Sequence, residues 1–231
     1  MPPDYEDFRR RADAVLERIR RACALAGRGE GEVRLLAVTK SQPAQAAEYA
    51  ARYGIASVGE NRVQEAIEKR AQVRAAVSWE LIGHLQSNKA RLAAAHFDRI
   101  QSVDSEKLLD ILDRAAAEHG RVLPVLLQVN AGHDPAKSGV EPEGASRLLA
   151  AALARRSLRV DGLMTVAPLS ADSAVARAAF ANLRAIRDRL AAESGNPLRE
   201  LSMGMSGDMD EAIAEGSTVV RVGTGLFGSR A

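Results

Sequence analysis

The chain holds few side chains able to act as nucleophiles or bases, and their places in the sequence restrict what each could do. Of 32 basic residues only five are lysines (Lys40, Lys69, Lys89, Lys107 and Lys137), and Cys23 is the sole cysteine. Lys40 closes the apolar run Leu35-Leu36-Ala37-Val38-Thr39. As a strand, that run alternates its faces, so Leu36, Val38 and Lys40 share one side. An amine set against apolar walls loses solvation, which favours the neutral form that attacks an aldehyde to give a Schiff base. A lysine that merely ends a strand and reaches into solvent is the plainer reading of the same residues.

Two glycine-rich stretches lie near the other end of the chain. They are Ser202-Met203-Gly204-Met205-Ser206-Gly207-Asp208 and Gly223-Thr224-Gly225-Leu226-Phe227-Gly228. Glycine lets the backbone approach an anion closely, and Ser206 and Thr224 add hydroxyl donors, so both stretches suit phosphate. Ser206 or Asp208 as an ordinary helix N-cap is the alternative. The second stretch also fits G-x-G-x-x-G, but a dinucleotide fingerprint must open a helix inside a βαβ unit, and only three residues follow Gly228. Arg221, two residues before Gly223, either pairs with a carboxylate or faces a ligand. His84 could face the same region. The histidines show no metal-ligand spacing, and Cys23, on an apolar helical stripe, reads as core.

These groups need elements to position them. Apolar periodicity places strands over 33–39, 56–59, 79–83, 99–103, 122–130, 158–166, 200–203 and 218–222. Helices are expected over 4–26, 43–52, 63–73, 89–95, 106–119, 143–155, 172–193 and 208–215. Eight strands alternating with helices predict a single α/β domain over residues 1–231, a (β/α)8 barrel of the TIM type with an extra N-terminal helix. An open doubly wound sheet is the alternative. In the barrel, active groups sit at the carboxyl ends of strands, where Lys40 and both glycine-rich loops fall, and phosphate commonly binds after the seventh and eighth strands. Only nine residues follow the eighth strand, so the opening helix is expected to cover that sector.

Composition narrows the partners. Hydrophobic residues make up 46% and charged residues 27%, with a net charge of +2, which gives no electrostatic reason to expect nucleic acid or an anionic membrane. No apolar stretch is long enough to span a bilayer, and the mixed-charge N-terminus suits neither a signal nor a transit peptide. With one cysteine, a cytoplasmic location is expected.

Taken together, Lys40, the two loops and Arg221 resemble the pyridoxal phosphate homeostasis protein family. The resemblance extends over Leu35 to Lys40, Val58-Gly59-Glu60-Asn61, Trp79 to Lys89, Lys137-Ser138-Gly139-Val140, Gly162 to Pro168, and Leu201 to Gly228. It implies a barrel like the N-terminal barrel of bacterial alanine racemases, with pyridoxal phosphate held as a Schiff base on Lys40. It further implies a phosphate site at Ser206, Gly223 and Thr224, Arg221 at the pyridine nitrogen, and Asn61 and His84 lining the pocket. Thr39 and Ser41-Gln42 flank the lysine where the family usually has Ser and Thr-Lys. The implied role is a monomer that buffers, carries or delivers pyridoxal phosphate, with apo forms of pyridoxal phosphate-dependent enzymes as recipients.

Whether such a protein turns over substrate depends on a second base. A racemase needs one base on each face of the cofactor. The three tyrosines, Tyr5, Tyr49 and Tyr53, all fall in or at the end of helices and not at strand ends. The expectation is therefore a non-catalytic binding protein. The alternatives are a small amino-acid racemase using Lys40 with His84 or another residue, and a phosphate-ligand barrel enzyme without pyridoxal phosphate.

Overall fold

The computed structural model describes residues 4–228. Eight parallel strands close into a barrel in chain order. They are β1 (Arg34–Val38), β2 (Ser57–Glu60), β3 (Ser78–Leu81), β4 (Arg99–Val103), β5 (Leu123–Gln128), β6 (Leu158–Met164), β7 (Glu200–Ser202) and β8 (Val219–Val222). β1 pairs with β8, setting Leu36 beside Arg221 and Ala37 beside Val222. That pairing excludes the open sheet. Outside lie α1 (Tyr5–Leu25), α2 (Gln45–Tyr53), α3 (Val63–Arg70), α4 (Ser87–His96), α5 (Glu106–Glu118), α6 (Ala145–Leu153), α7 (Ser173–Ser194) and α8 (Met209–Ala214).

The differences from the sequence-based expectation sit at element ends. α3 stops at Arg70 rather than 73, because the N–H groups of Gln72 and Val73 turn back onto Lys69 in a tightened last turn. β5 ends at Gln128, and Val129 continues only as an isolated bridge to Val140. A 3₁₀ turn, Pro142–Gly144, precedes α6 where the helix was expected to start.

α1 begins at Asp4, whose carboxylate accepts the Asp7 N–H at 2.8 Å. Its buried stripe of Phe8, Ala12, Val15, Ile19, Ala22 and Cys23 packs on α8 and on the one-turn α9 (Thr224–Phe227) after β8. Phe8 stacks on Phe227 with ring centroids 5.3 Å apart. α1 thus covers the sector that a full eighth helix would otherwise cover. Cys23 is buried in this seam, and burial pushes its thiol up from the ordinary range.

The barrel interior departs from an all-apolar filling. Leu36, Val38 and Val219, with Ile82, form a small inner cluster, separate from the large core between strands and helices. Beside it runs a polar chain. Arg221 Nη1 donates to Ser202 Oγ at 2.8 Å, and Ser202 Oγ donates to Gln101 Oε1 at 2.6 Å. Gln101 Nε2 then donates to Glu80 Oε2 at 2.6 Å, and Arg34 Nη1 to Glu80 Oε1 at 2.7 Å. Strand β6 approaches β7 closely only because Gly162 lacks a side chain; a Cβ there would lie 1.9 Å from the Glu200 carbonyl oxygen. Among the described residues, no helix is long and apolar enough to cross a membrane.

Candidate functional site

Val38 belongs to the inner cluster, so strand alternation carries Lys40 to the carboxyl-terminal mouth. There Lys40 lines a cavity of about 230 Å³ together with Ser206, Arg221, Gly223 and Thr224. Five of the six expected cofactor residues therefore meet in one place, delivered by β1, β8 and the loops after β7 and β8.

The backbone around Lys40 is held by residues that sequence reasoning passed over. Lys69 Nζ, buried on α3, donates to the Thr39 carbonyl at 2.6 Å, Glu60 Oε1 at 2.8 Å and Glu65 Oε1 at 2.7 Å. The Thr39 hydroxyl donates to Glu60 Oε1 at 2.7 Å, and the Ser41 N–H to Glu65 Oε1 at 2.6 Å. Ser41 takes φ 58°, a left-handed conformation uncommon for a non-glycine residue. Burial pushes the Glu60 carboxyl up, and the bonds from Lys69 and Thr39 only partly offset it. Burial also acts to raise Glu65, but the bonds from Lys69 and the Ser41 N–H, with the Lys69 charge, outweigh it and hold Glu65 below the ordinary carboxylate range. The i, i+4 spacing of Glu65 and Lys69 was legible as a helical ion pair. Their approach to Thr39 depends on the β1–β2 register, which no local pattern encodes.

The two glycine-rich loops are tied to each other and to α1. Ser206 Oγ accepts the Gly225 N–H at 3.3 Å, which leaves its hydroxyl hydrogen for a second partner. The Ser206 carbonyl accepts Arg18 Nη1 at 2.7 Å, and Arg18 Nε donates to Asp210 at 2.9 Å. Asp208 stands at the N-cap position of α8, but its carboxylate folds back onto the Met205 N–H at 2.6 Å and makes no capping bond to the helix. Ser206 thus joins the loops instead of starting a helix.

Arg221 is buried to 4% exposure, and the hydrogen-bond partners of its guanidinium are neutral: Ser202 Oγ and the Thr165 carbonyl, each at 2.8 Å. Burial pushes it down to about 10, with the charge of Asp208 acting weakly the other way, so it remains a cation at neutral pH. A buried cation without a hydrogen-bonded counter-anion is costly, and Arg221 is among the residues that line the cavity.

Asn61 and His84 lie elsewhere, in an adjoining groove of about 700 Å³ that also includes Gln64, Gln86 and Lys89. Gly83 lies tight against the Asn61 backbone, where a Cβ would come within 2.4 Å of the Asn61 carbonyl oxygen. His84 Nδ1 is 3.7 Å from the Asp104 carboxylate, whose carboxyl burial pushes up. None of the tyrosines borders the 230 Å³ cavity. Tyr53 donates to Asp13, Tyr49 accepts from Gln45, and Tyr5 lies under Arg52, all in the α1–α2 seam. Among the described residues, no group of three or more His, Cys, Asp or Glu is placed to hold a metal ion.

A lysine at the end of β1 with glycine-rich loops after β7 and β8 invites comparison with known barrels. Residues 11–231 match the family described as alanine racemase, N-terminal domain. The chain is 40% identical over 221 residues to the pyridoxal phosphate homeostasis protein of Aquifex aeolicus, covering 95% of this chain and 97% of that one. It belongs to the pyridoxal phosphate homeostasis family. The family's Pseudomonas aeruginosa protein is 42% identical over 217 residues, covering 94% of this chain and 93% of that one. A solved structure of PipY from Synechococcus elongatus, with PLP bound, superposes with a TM-score of 0.81 at 42% identity, covering 91% of this chain and 99% of that one. Family membership accounts for the barrel and for the order of the motifs along it.

Proposed function

We propose that this chain binds pyridoxal phosphate and serves its homeostasis, buffering, carrying or delivering the cofactor without turning over substrate. The observation that carries this reading is the meeting of Lys40 with a buried Arg221, hydrogen-bonded only to neutral oxygens, and the two joined loops in one cavity. The residues fit the group. Lys40 would supply the amine for its aldehyde, Ser206, Thr224 and the Gly223 backbone would hold its phosphate, and Arg221 would meet its pyridine nitrogen. Asn61 borders the approach from the adjoining groove. When bound, pyridoxal phosphate supplies a ring that withdraws electrons from whatever its aldehyde carbon joins. A guanidinium donates hydrogen bonds and accepts none, so at the pyridine nitrogen Arg221 would favour the unprotonated form and keep that withdrawal weak. The tyrosines stand in the α1–α2 seam, which supports a protein that holds its cofactor and lacks a second base from that residue type. The same reading assigns the protein to the cytoplasm, as a monomer that passes cofactor to apo forms of pyridoxal phosphate-dependent enzymes.

The test is spectroscopic. The protein with pyridoxal phosphate is expected to be yellow, to lose that band on borohydride reduction, and to carry the reduced adduct on Lys40. Lys40→Ala is expected to lose the band and keep weaker, phosphate-based binding. An adduct chiefly on Lys89 or Lys137 would overturn the site. Rapid α-proton exchange of alanine with inversion in deuterated water, followed by NMR, would replace the binding role with a racemase, and His84→Ala would then test the second base.

A further inference from the structure

Lys69 is a buried lysine far from any role the cofactor reading requires of it. It is 7% exposed, and its three donors meet three different oxygens within 2.8 Å. A surface i, i+4 pair would leave the ammonium partly in water and contribute a few tenths of a kcal/mol. Here the third donor goes to the main-chain carbonyl of Thr39, the residue before Lys40. Glu65, held by Lys69, accepts the N–H of Ser41, the residue after it. Glu60, also bonded to Lys69, takes the Thr39 hydroxyl. One ammonium and two carboxylates therefore grip the peptide on both sides of the reactive amine. The left-handed φ of Ser41 lies inside that grip. Backbone held in a sparsely populated conformation persists where its surroundings over-determine it.

We propose that Lys69 is the positioning residue of this site: through Thr39 directly and Ser41 via Glu65, it fixes the aim of the Lys40 amine. The inference rests on the assignment of Lys40 as the amine that joins the cofactor. It predicts that Lys69 governs the part of binding that depends on an aldehyde, and leaves the part that depends on phosphate. Arginine would not replace it, because a planar fork cannot spread its donors over three oxygens around an ammonium.

The experiment compares two ligands, pyridoxal phosphate and pyridoxine 5′-phosphate, which carries an alcohol in place of the aldehyde. Affinities are measured for wild type, Lys69→Met, Glu65→Gln, Lys40→Ala and the Lys40→Ala/Lys69→Met pair. The preference for the aldehyde is expected to fall about tenfold in Lys69→Met and about threefold in Glu65→Gln. In the Lys40→Ala background, Lys69→Met is expected to change the two affinities alike. Should Lys69→Met not fold, Glu65→Gln, on a carboxylate 27% exposed, carries the test. Equal losses for both ligands in the Lys40-containing variants, or an unchanged preference, would reduce Lys69 to a core ion pair and overturn the proposal. A wild type with no preference for the aldehyde would instead remove the Lys40 assignment, and this inference with it.

Discussion

At the amino-terminal end of the barrel the arginines lie among carboxylates, whereas Arg221 near the carboxyl end has hydrogen bonds only to neutral oxygens. Arg34 donates to Glu80 at 2.7 Å and to Glu200 at 3.3 Å. Arg99 meets Glu200 and, at 2.8 Å, Asp161. Arg221 has Ser202 Oγ and the Thr165 carbonyl. Charge satisfied by charge closes the floor of the barrel and asks nothing of a ligand. Charge left against neutral dipoles keeps its attraction for an acceptor from outside, which is what a binding mouth needs. The polar chain through Ser202, Gln101 and Glu80 joins these two ends, yet it does not bring a carboxylate to Arg221.

The sharpest way to break this contrast is to remove one arginine from each end. Arg99→Ala takes one of two cations from Glu200, which keeps Arg34, and one of two from Asp161, which keeps Arg159, and is expected to destabilise the fold by about 1.5–3 kcal/mol. Thermal or denaturant unfolding checks this, and the folded fraction should bind cofactor as wild type does. Arg221→Met is expected to do the opposite. It should leave unfolding unchanged or delayed, because a buried cation without a hydrogen-bonded counter-anion is removed, while cofactor affinity falls roughly tenfold to a hundredfold. Early unfolding of Arg221→Met, with affinity intact, would make the mouth arginine a structural one like those at the floor.

Smaller effects refine the mouth. Ser206→Ala and Thr224→Ala are each expected to weaken pyridoxal phosphate binding about tenfold in titration. Combined, they should lose less than the product, since both address one anion and Ser206 is already bonded to the Gly225 N–H. Independent losses would separate the two loops. The smallest expected effect concerns pH. Glu65 is held below the ordinary carboxylate range, so its ionised form adds stability above its unfolded pKa, and that share is lost as pH falls through its lowered folded value. The stability gap between wild type and Glu65→Gln should therefore be present at neutral pH and close on acidification. A gap that stays constant to low pH would show that the Glu65 charge is not what holds Ser41.

The main features of the mouth could be read before folding. Lys40 follows an alternating apolar run, and Gly223 and Gly204 mark loops after short strands, so chain order and a period of two suffice to bring them to one end of a barrel. The seam of α1 was legible too, from Val15, Ile19, Ala22 and Cys23 at helical spacing, whereas Phe8 joined it only in the structure. The interior was less so. Arg34, Glu80, Gln101 and Ser202 read as scattered polar residues within strands, and nothing local says that they meet on the barrel axis. Asn61 and His84 were expected in the cofactor pocket, and they border the neighbouring groove.

What the sequence determined by itself is therefore the alternation of strand and helix, the strand end that bears Lys40, and the loops that bear Ser206 and Thr224. Each depends on residues a few positions apart, whose side-chain directions follow from backbone geometry alone. Only the tertiary structure decided that Arg18 would hold the Ser206 carbonyl, that Lys69 would grip Thr39, and that Arg221 would be left without a hydrogen-bonded carboxylate. Those outcomes depend on barrel closure and strand register, which bring together groups from distant parts of the chain. A hydrogen bond acts over about 3 Å, so a partner that distant in sequence is specified by the closed barrel and not by any local pattern.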